Sequence, residues 1–110
     1  MTVDVDLDSV RIAVVLHDEP NPRELKLLRR LVDLGQTELR TRIASGEPLI
    51  RVLLFQDNHL AVASRLLELA GLIAPYRHEF HEVDGDEPLT SSNEISAETL
   101  REILTVPEAD

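Results

Sequence analysis

LKLLRRLVDLGQTELRTRIASGEP, residues 25–48, decides the fold. Leu25, Leu28, Leu31 and Val32 recur at helical spacing, Leu39 and Ile43 stand four apart, and Gly35 separates the two runs. Apolar residues at that period line one side of a helix, and a glycine between two such runs ends the first and lets the chain turn. The stretch therefore reads as two helices meeting at a corner. Asn21 is placed to cap the first and Pro22 to take its first position, where a missing N–H costs no helical hydrogen bond. That helix is expected to run to about Leu34 with Gly35 as its stop; the second spans Thr37 to Ala44 and SGEP closes it.

The flanks supply strands. VRIAVVLH (10–17) and PLIRVLLF (48–55) are short β-branched and aliphatic runs bounded by acids, prolines and glycine, the pattern of buried strands. Asp57 or Asn58 is the expected cap of a third helix reaching about Ala70, with Leu60, Ala63, Leu66, Leu67 and Ala70 as its apolar stripe and Gly71 as its stop. YRHEFHEV (76–83) sets Tyr76, His78 and Phe80 against Arg77, Glu79 and His81, an alternation suited to a strand with one face in water. DGDEPLTSSNEIS (84–96) is acidic and turn-rich and reads as a mobile linker. AETLREIL (97–104) follows Ser96 as cap and lines up Leu100, Ile103 and Leu104; helices below ~12–15 residues are marginal alone, so it must dock on its own domain or on something else.

The order is β-α-α-β-α-β, which predicts an α+β fold: a three-stranded antiparallel-type sheet with helices on one face, plus a short C-terminal helix. Residues 1–9 form an acidic N-terminal arm, 10–83 the domain, and 84–110 the linker and amphipathic helix.

Composition limits what such a domain does. With 110 residues, one core is expected, and with aromatics at only 3% it must be aliphatic. Without cysteine there is neither a disulfide framework nor a thiolate nucleophile. Acids stand where a secretory signal needs a basic region, and no apolar run approaches the ~18 residues of a membrane span, so a soluble, cytoplasmic protein with no membrane partner is expected. The formal net charge of −10 disfavours direct nucleic-acid binding, since counterion release needs clustered Lys and Arg. The charge is uneven, however. Residues 1–22 hold Arg11 against five acids, 23–78 nine bases against six acids, and 79–110 Arg101 against ten acids, or −4, +3 and −9.

LKLLRRLVDLGQTELRTRI resembles, without a gap, the helix-glycine-helix of the C-terminal domain of the bacterial ribosomal stalk protein, whose pattern runs roughly I-K-x-V-R-x-x-T-G-L-G-L-K-E-A-K-x-x-V. Leu25, Lys26, Arg29, Leu34, Gly35, Glu38, Arg40 and Ile43 fall on matching positions or close substitutes, and NHLAVASRLLELAG looks like the family's third helix. VVLHDEPNPREL is more loosely similar to the start of the ClpS adaptor, which shares that fold, with Asp18 and Glu19 standing where that family has Asn-Asp. The resemblance covers about residues 10–83 and implies a face at Lys26, Arg29 and Arg40 that touches translational GTPases. The chain lacks the stalk protein's N-terminal dimerisation helices and Ala-rich hinge.

Catalysis and metal binding find little support in the residue pattern. His78 and His81 are three apart in a predicted strand and so point to opposite faces; His17-Asp18-Glu19 at a strand end is the one acid-base candidate, with no nucleophile motif or phosphate cradle beside it. No enzyme, cofactor or metal is expected. Two charged surfaces remain: Lys26, Arg29 and Arg40 on the helices, and Asp84, Asp86 and Glu87 in the acidic stretch. The favoured reading is a protein-binding domain, an inhibitor or immunity-type protein neutralising a toxin or effector through its acidic surface. The alternative is a stalk-like or ClpS-like adaptor module contacting a translation GTPase or a chaperone ATPase through the basic face.

Overall fold

A computed structural model describes residues 10–53, 59–85 and 87–105. It contains β1 (Val10–Leu16), α1 (Pro22–Val32), α2 (Gln36–Ser45), β2 (Pro48–Leu53), α3 (His59–Ile73), β3 (His78–Asp84), a 3-10 turn (Ser91–Asn93), β4 (Glu94–Ile95) and α4 (Ala97–Thr105). The class is α+β, with an open antiparallel sheet in the order β2-β1-β3-β4. The expectation of three strands is corrected: the stretch read as a linker carries β4, which pairs Phe80 with Ile95 and His81 with Glu94.

The local signals act where expected at the start of α1. Asn21 Oδ1 accepts the Glu24 N–H at 2.9 Å, and Pro22 occupies the first turn. The end of the helix differs. Asp33, not Gly35, takes the left-handed cap (φ 56°, ψ 46°), its N–H reaching Arg29 O, while Gly35 has an ordinary φ of −70° and opens α2. Aspartate tolerates that conformation better than most residues with a Cβ, which is why the corner forms two residues early. α3 runs through Gly71 to Ile73, and its buried side is Ala63, Leu66, Leu69, Ala70 and Ile73; Leu60 is 72% exposed. Ala63, Leu66 and Ala70 of the expected stripe are thus buried and Leu67 is half-buried, while Leu60 turns outward and Leu69 and Ile73 join the core, because a continuous run of aliphatic residues leaves the edges of the stripe ambiguous. The expected caps Asp57 and Asn58 lie outside the described residues.

One core joins the elements. Ile12, Val14 and Leu16, alternate residues of β1, meet Phe80, Leu25, Leu28, Leu39, Ile43, Leu66, Leu69 and Ile73 in a single cluster. Leu100 of α4 is fully buried in it, so the C-terminal helix docks in cis. Ser96 Oγ caps that helix by accepting the Thr99 N–H at 3.0 Å.

The other face of the sheet is not open to water. Ala13, Val15, Val83 and His81 are all buried there. Arg51, opposite Ala13, donates from Nη1 to the carbonyl oxygens of Gly85 (3.1 Å) and Glu87 (3.0 Å), and Asn93 reaches His81, so residues 87–95 form a strap across this face.

Candidate interaction surface

α1 has two unlike sides because its apolar and basic residues keep separate helical phases. Leu25, Leu28 and Val32 are buried; Lys26, Arg29 and Arg30, related by three and four residues, are exposed. None of these three cations forms an ion pair with another described residue. α2 brings Arg40 alongside, where it pairs with Glu19 at 3.3 Å. Lys26, Arg29 and Arg40 thus share a shallow groove of about 280 Å³ with Pro22, Leu25 and Gln36. On the far side of α1, Leu27, Arg30 and Leu31 face Glu68 and Leu72 of α3 across a groove of about 460 Å³, in which Leu27 is 45% exposed. Arg30 borders both this groove and a third depression that it shares with Lys26, Arg29, Asp33 and Leu34, so the surface is continuous along the helix.

The acidic candidates form a different kind of feature. Asp84 and Glu87 close a turn through Asp84 N–H to Glu87 Oε1 (3.0 Å) and Glu87 N–H to Asp84 O (3.1 Å), with Gly85 at φ +60° between them. Asp86 lies outside the described residues.

The triplet His17-Asp18-Glu19 does not converge on one point. His17 Nε2 meets Glu79 Oε2 at 2.5 Å, Glu19 meets Arg40, and Asp18 receives Arg77 Nη2 (2.8 Å), Nε (3.1 Å) and the Arg77 backbone N–H (3.0 Å). The Arg77 guanidinium, and then its backbone N–H, hold the Asp18 carboxyl below the ordinary carboxylate range. Tyr76 Oη donates to Glu24 Oε1, which ties the start of α1 to the α3–β3 connection and raises the phenol above its ordinary value.

Glu79 is the residue the linear reading passed over. Its Oε1 accepts from His81 Nε2 at 2.9 Å while its Oε2 accepts from His17; those bonds, His81 first, hold the carboxyl below its usual range. The alternation of β3 was the available signal, since Glu79 and His81, two apart, share a face. Among the described residues no group of three or more His, Cys, Asp or Glu is set to hold a metal ion, and no helix is long and apolar enough to cross a membrane. Compared with protein-family models, with curated proteins and with solved structures, the chain matches none of them.

Proposed function

We propose that this chain is a non-catalytic, cytoplasmic protein-binding domain whose α1–α2 face docks an acidic surface of its partner. One observation carries the reading: a chain of net charge −10 sets Lys26, Arg29 and Arg30 side by side, exposed and without described ion-pair partners, beside an apolar groove at Leu27. A chain with an excess of acids could neutralise these cations internally; leaving them clustered next to exposed leucine gives a polar rim around an apolar anchor point, the usual anatomy of an interface. An adaptor-like role for Lys26, Arg29 and Arg40 is what the resemblance of residues 10–83 to the stalk C-terminal domain and the ClpS adaptor implies, and the exposure of Lys26 and Arg29 on α1 is compatible with it.

The inhibitor or immunity-type reading keeps one supporting observation. The turn at Asp84 and Glu87 is rigidly presented, because Arg51 grips its backbone, and it lies in the segment of charge −9. Affinity capture with paired charge reversals separates the two. Lys26→Glu with Arg29→Glu is expected to abolish recovery of the partner while Asp84→Lys with Glu87→Lys leaves it intact. Loss of the partner only in the acidic-turn variant would replace the first reading with the second.

A further inference from the structure

The groove between α1 and α3 has an apolar floor and two charged rims. Leu27 and Leu31, one turn apart on α1, line it together with Leu72 of α3, over about 460 Å³. Leu27 is 45% exposed and Leu31 and Leu72 are half-buried, so apolar surface meets water there. Arg30 and Glu68 border the groove from opposite helices, both exposed, yet no ion pair joins them and neither pairs with any other described residue. Elsewhere the chain closes such charges on one another, as Arg42 does with Glu38, Arg40 with Glu19 and Arg77 with Asp18. The shape of the groove limits what can lie in it. Tyr76, which follows α3, bonds Glu24 in the first turn of α1, so the two helices run side by side in opposite directions. Their backbone groups are engaged within each helix, so the groove offers no row of N–H and C=O groups to an extended chain. An incoming helix satisfies its own backbone and brings only side chains. Covering Arg30 or Glu68 with apolar surface alone would strip water from a charge without replacing it, so the occupant has to bring an acid to one rim and a base to the other.

We propose that the groove takes an amphipathic helix of the partner protein, whose apolar stripe covers Leu27, Leu31 and Leu72 with a carboxylate beside Arg30 and a Lys or Arg beside Glu68. The inference rests on the reading of the chain as a protein-binding domain and adds the element of the partner that is recognised. Arg30 also borders the depression that holds Lys26 and Arg29, so the acidic flank of the helix continues onto the basic ridge of α1. The opposite signs of the two rims set the direction in which the helix lies, because turning it end for end exchanges its flanks.

Two synthetic peptides of about 18 residues, long enough to hold a helix, carry the test on the full chain. Both have a leucine stripe; the first has Glu on one flank and Lys on the other, the second Glu on both. Amide NMR titration at about 0.15 M salt is expected to shift α1 and α3 signals around Leu27, Arg30, Glu68 and Leu72, with the first peptide bound about fivefold more tightly, the size of one exposed charge pair. Glu68→Arg is expected to reverse that preference and Leu27→Ser to weaken the first peptide about tenfold; both side chains are exposed, so neither change disturbs the core. No binding by either peptide, a preference unmoved by Glu68→Arg, or equal binding of a first peptide broken by a central proline would each overturn the proposal. So would a dimer of the free chain in sedimentation that Leu27→Ser dissolves, which would give the groove to a second copy. Recovery of the partner lost in Lys26→Glu with Arg29→Glu but kept in Leu27→Ser with Glu68→Arg would leave the basic face standing and remove the groove. The opposite pattern would keep the groove and remove the α1–α2 face.

Discussion

Replacing Leu100 with alanine tests the docking of α4, on which the C-terminal part of the fold rests. α4 has nine residues and is too short to persist on its own, yet Leu100 is fully buried and Ile95, Ala97, Ile103 and Leu104 pack against the same core. Leu→Ala removes roughly three buried carbons, worth ~0.8 kcal/mol each by transfer, or about 2.4 kcal/mol. The gap left behind adds to this, and substitutions of this kind cost ~2–5 kcal/mol; a terminal helix can settle toward the gap, so about 3 kcal/mol is expected. With ~2.1 cal/mol/K of unfolding entropy per residue, a 110-residue domain changes by about 0.23 kcal/mol per degree, and Tm falls by ~13 °C. Urea unfolding followed by circular dichroism measures the free energy, and limited proteolysis at Arg101 reports whether α4 detaches before the rest unfolds. Glu102→Ala, at an exposed position of the same helix, serves as control and is expected to stay within ~0.5 kcal/mol. A Leu100→Ala loss below about 1 kcal/mol, with Arg101 still protected, would refute the burial on which this rests.

Two further outcomes follow from the backbone and from the Asp18–Arg77 pair. Asp33 holds a left-handed conformation, so Asp33→Gly is expected to raise stability by about 0.5 kcal/mol and Asp33→Val to lower it by at least ~1 kcal/mol; equal effects in thermal melts would remove the cap from the account of the helix corner. Asp18 has a lowered carboxyl in the folded state, so its contribution is present above the ordinary value of 3.8 and disappears as the pH drops through the lower folded value. Asp18→Asn is therefore expected to flatten that part of the acid limb of the stability profile, and an acid limb identical to that of the parent protein would count against the pair.

The elements that the sequence announced most clearly are those whose signals are local. Asn21 and Pro22 open α1 because a side-chain acceptor and a fixed φ act within one turn, and Ser96 does the same for α4. The exposed phase of Lys26, Arg29 and Arg30 was legible for the same reason, since helical spacing alone puts them on one side. β4 gave no comparable signal. Two residues, Glu94 and Ile95, have no period, and they extend only because the edge of β3 offers them partners. On the face of β3 read as wet, Glu79 stays half-exposed but His81 is buried, because the strap lays Asn93 against its ring, a contact with no sequence pattern behind it.

Amphipathic phase, caps and turns are properties of neighbouring residues, and they determined the α+β class, the helix pair, the aliphatic interior and the basic ridge of α1. Long-range pairing determined the rest: the fourth strand, the burial of Leu100 under α4, and the meeting of His17, Glu79, His81 and Asn93 from three separate segments. Such contacts form only when loop closure brings distant groups together and burial or hydrogen bonding offsets its entropy, and that balance is set by the assembled fold rather than by any stretch of the chain.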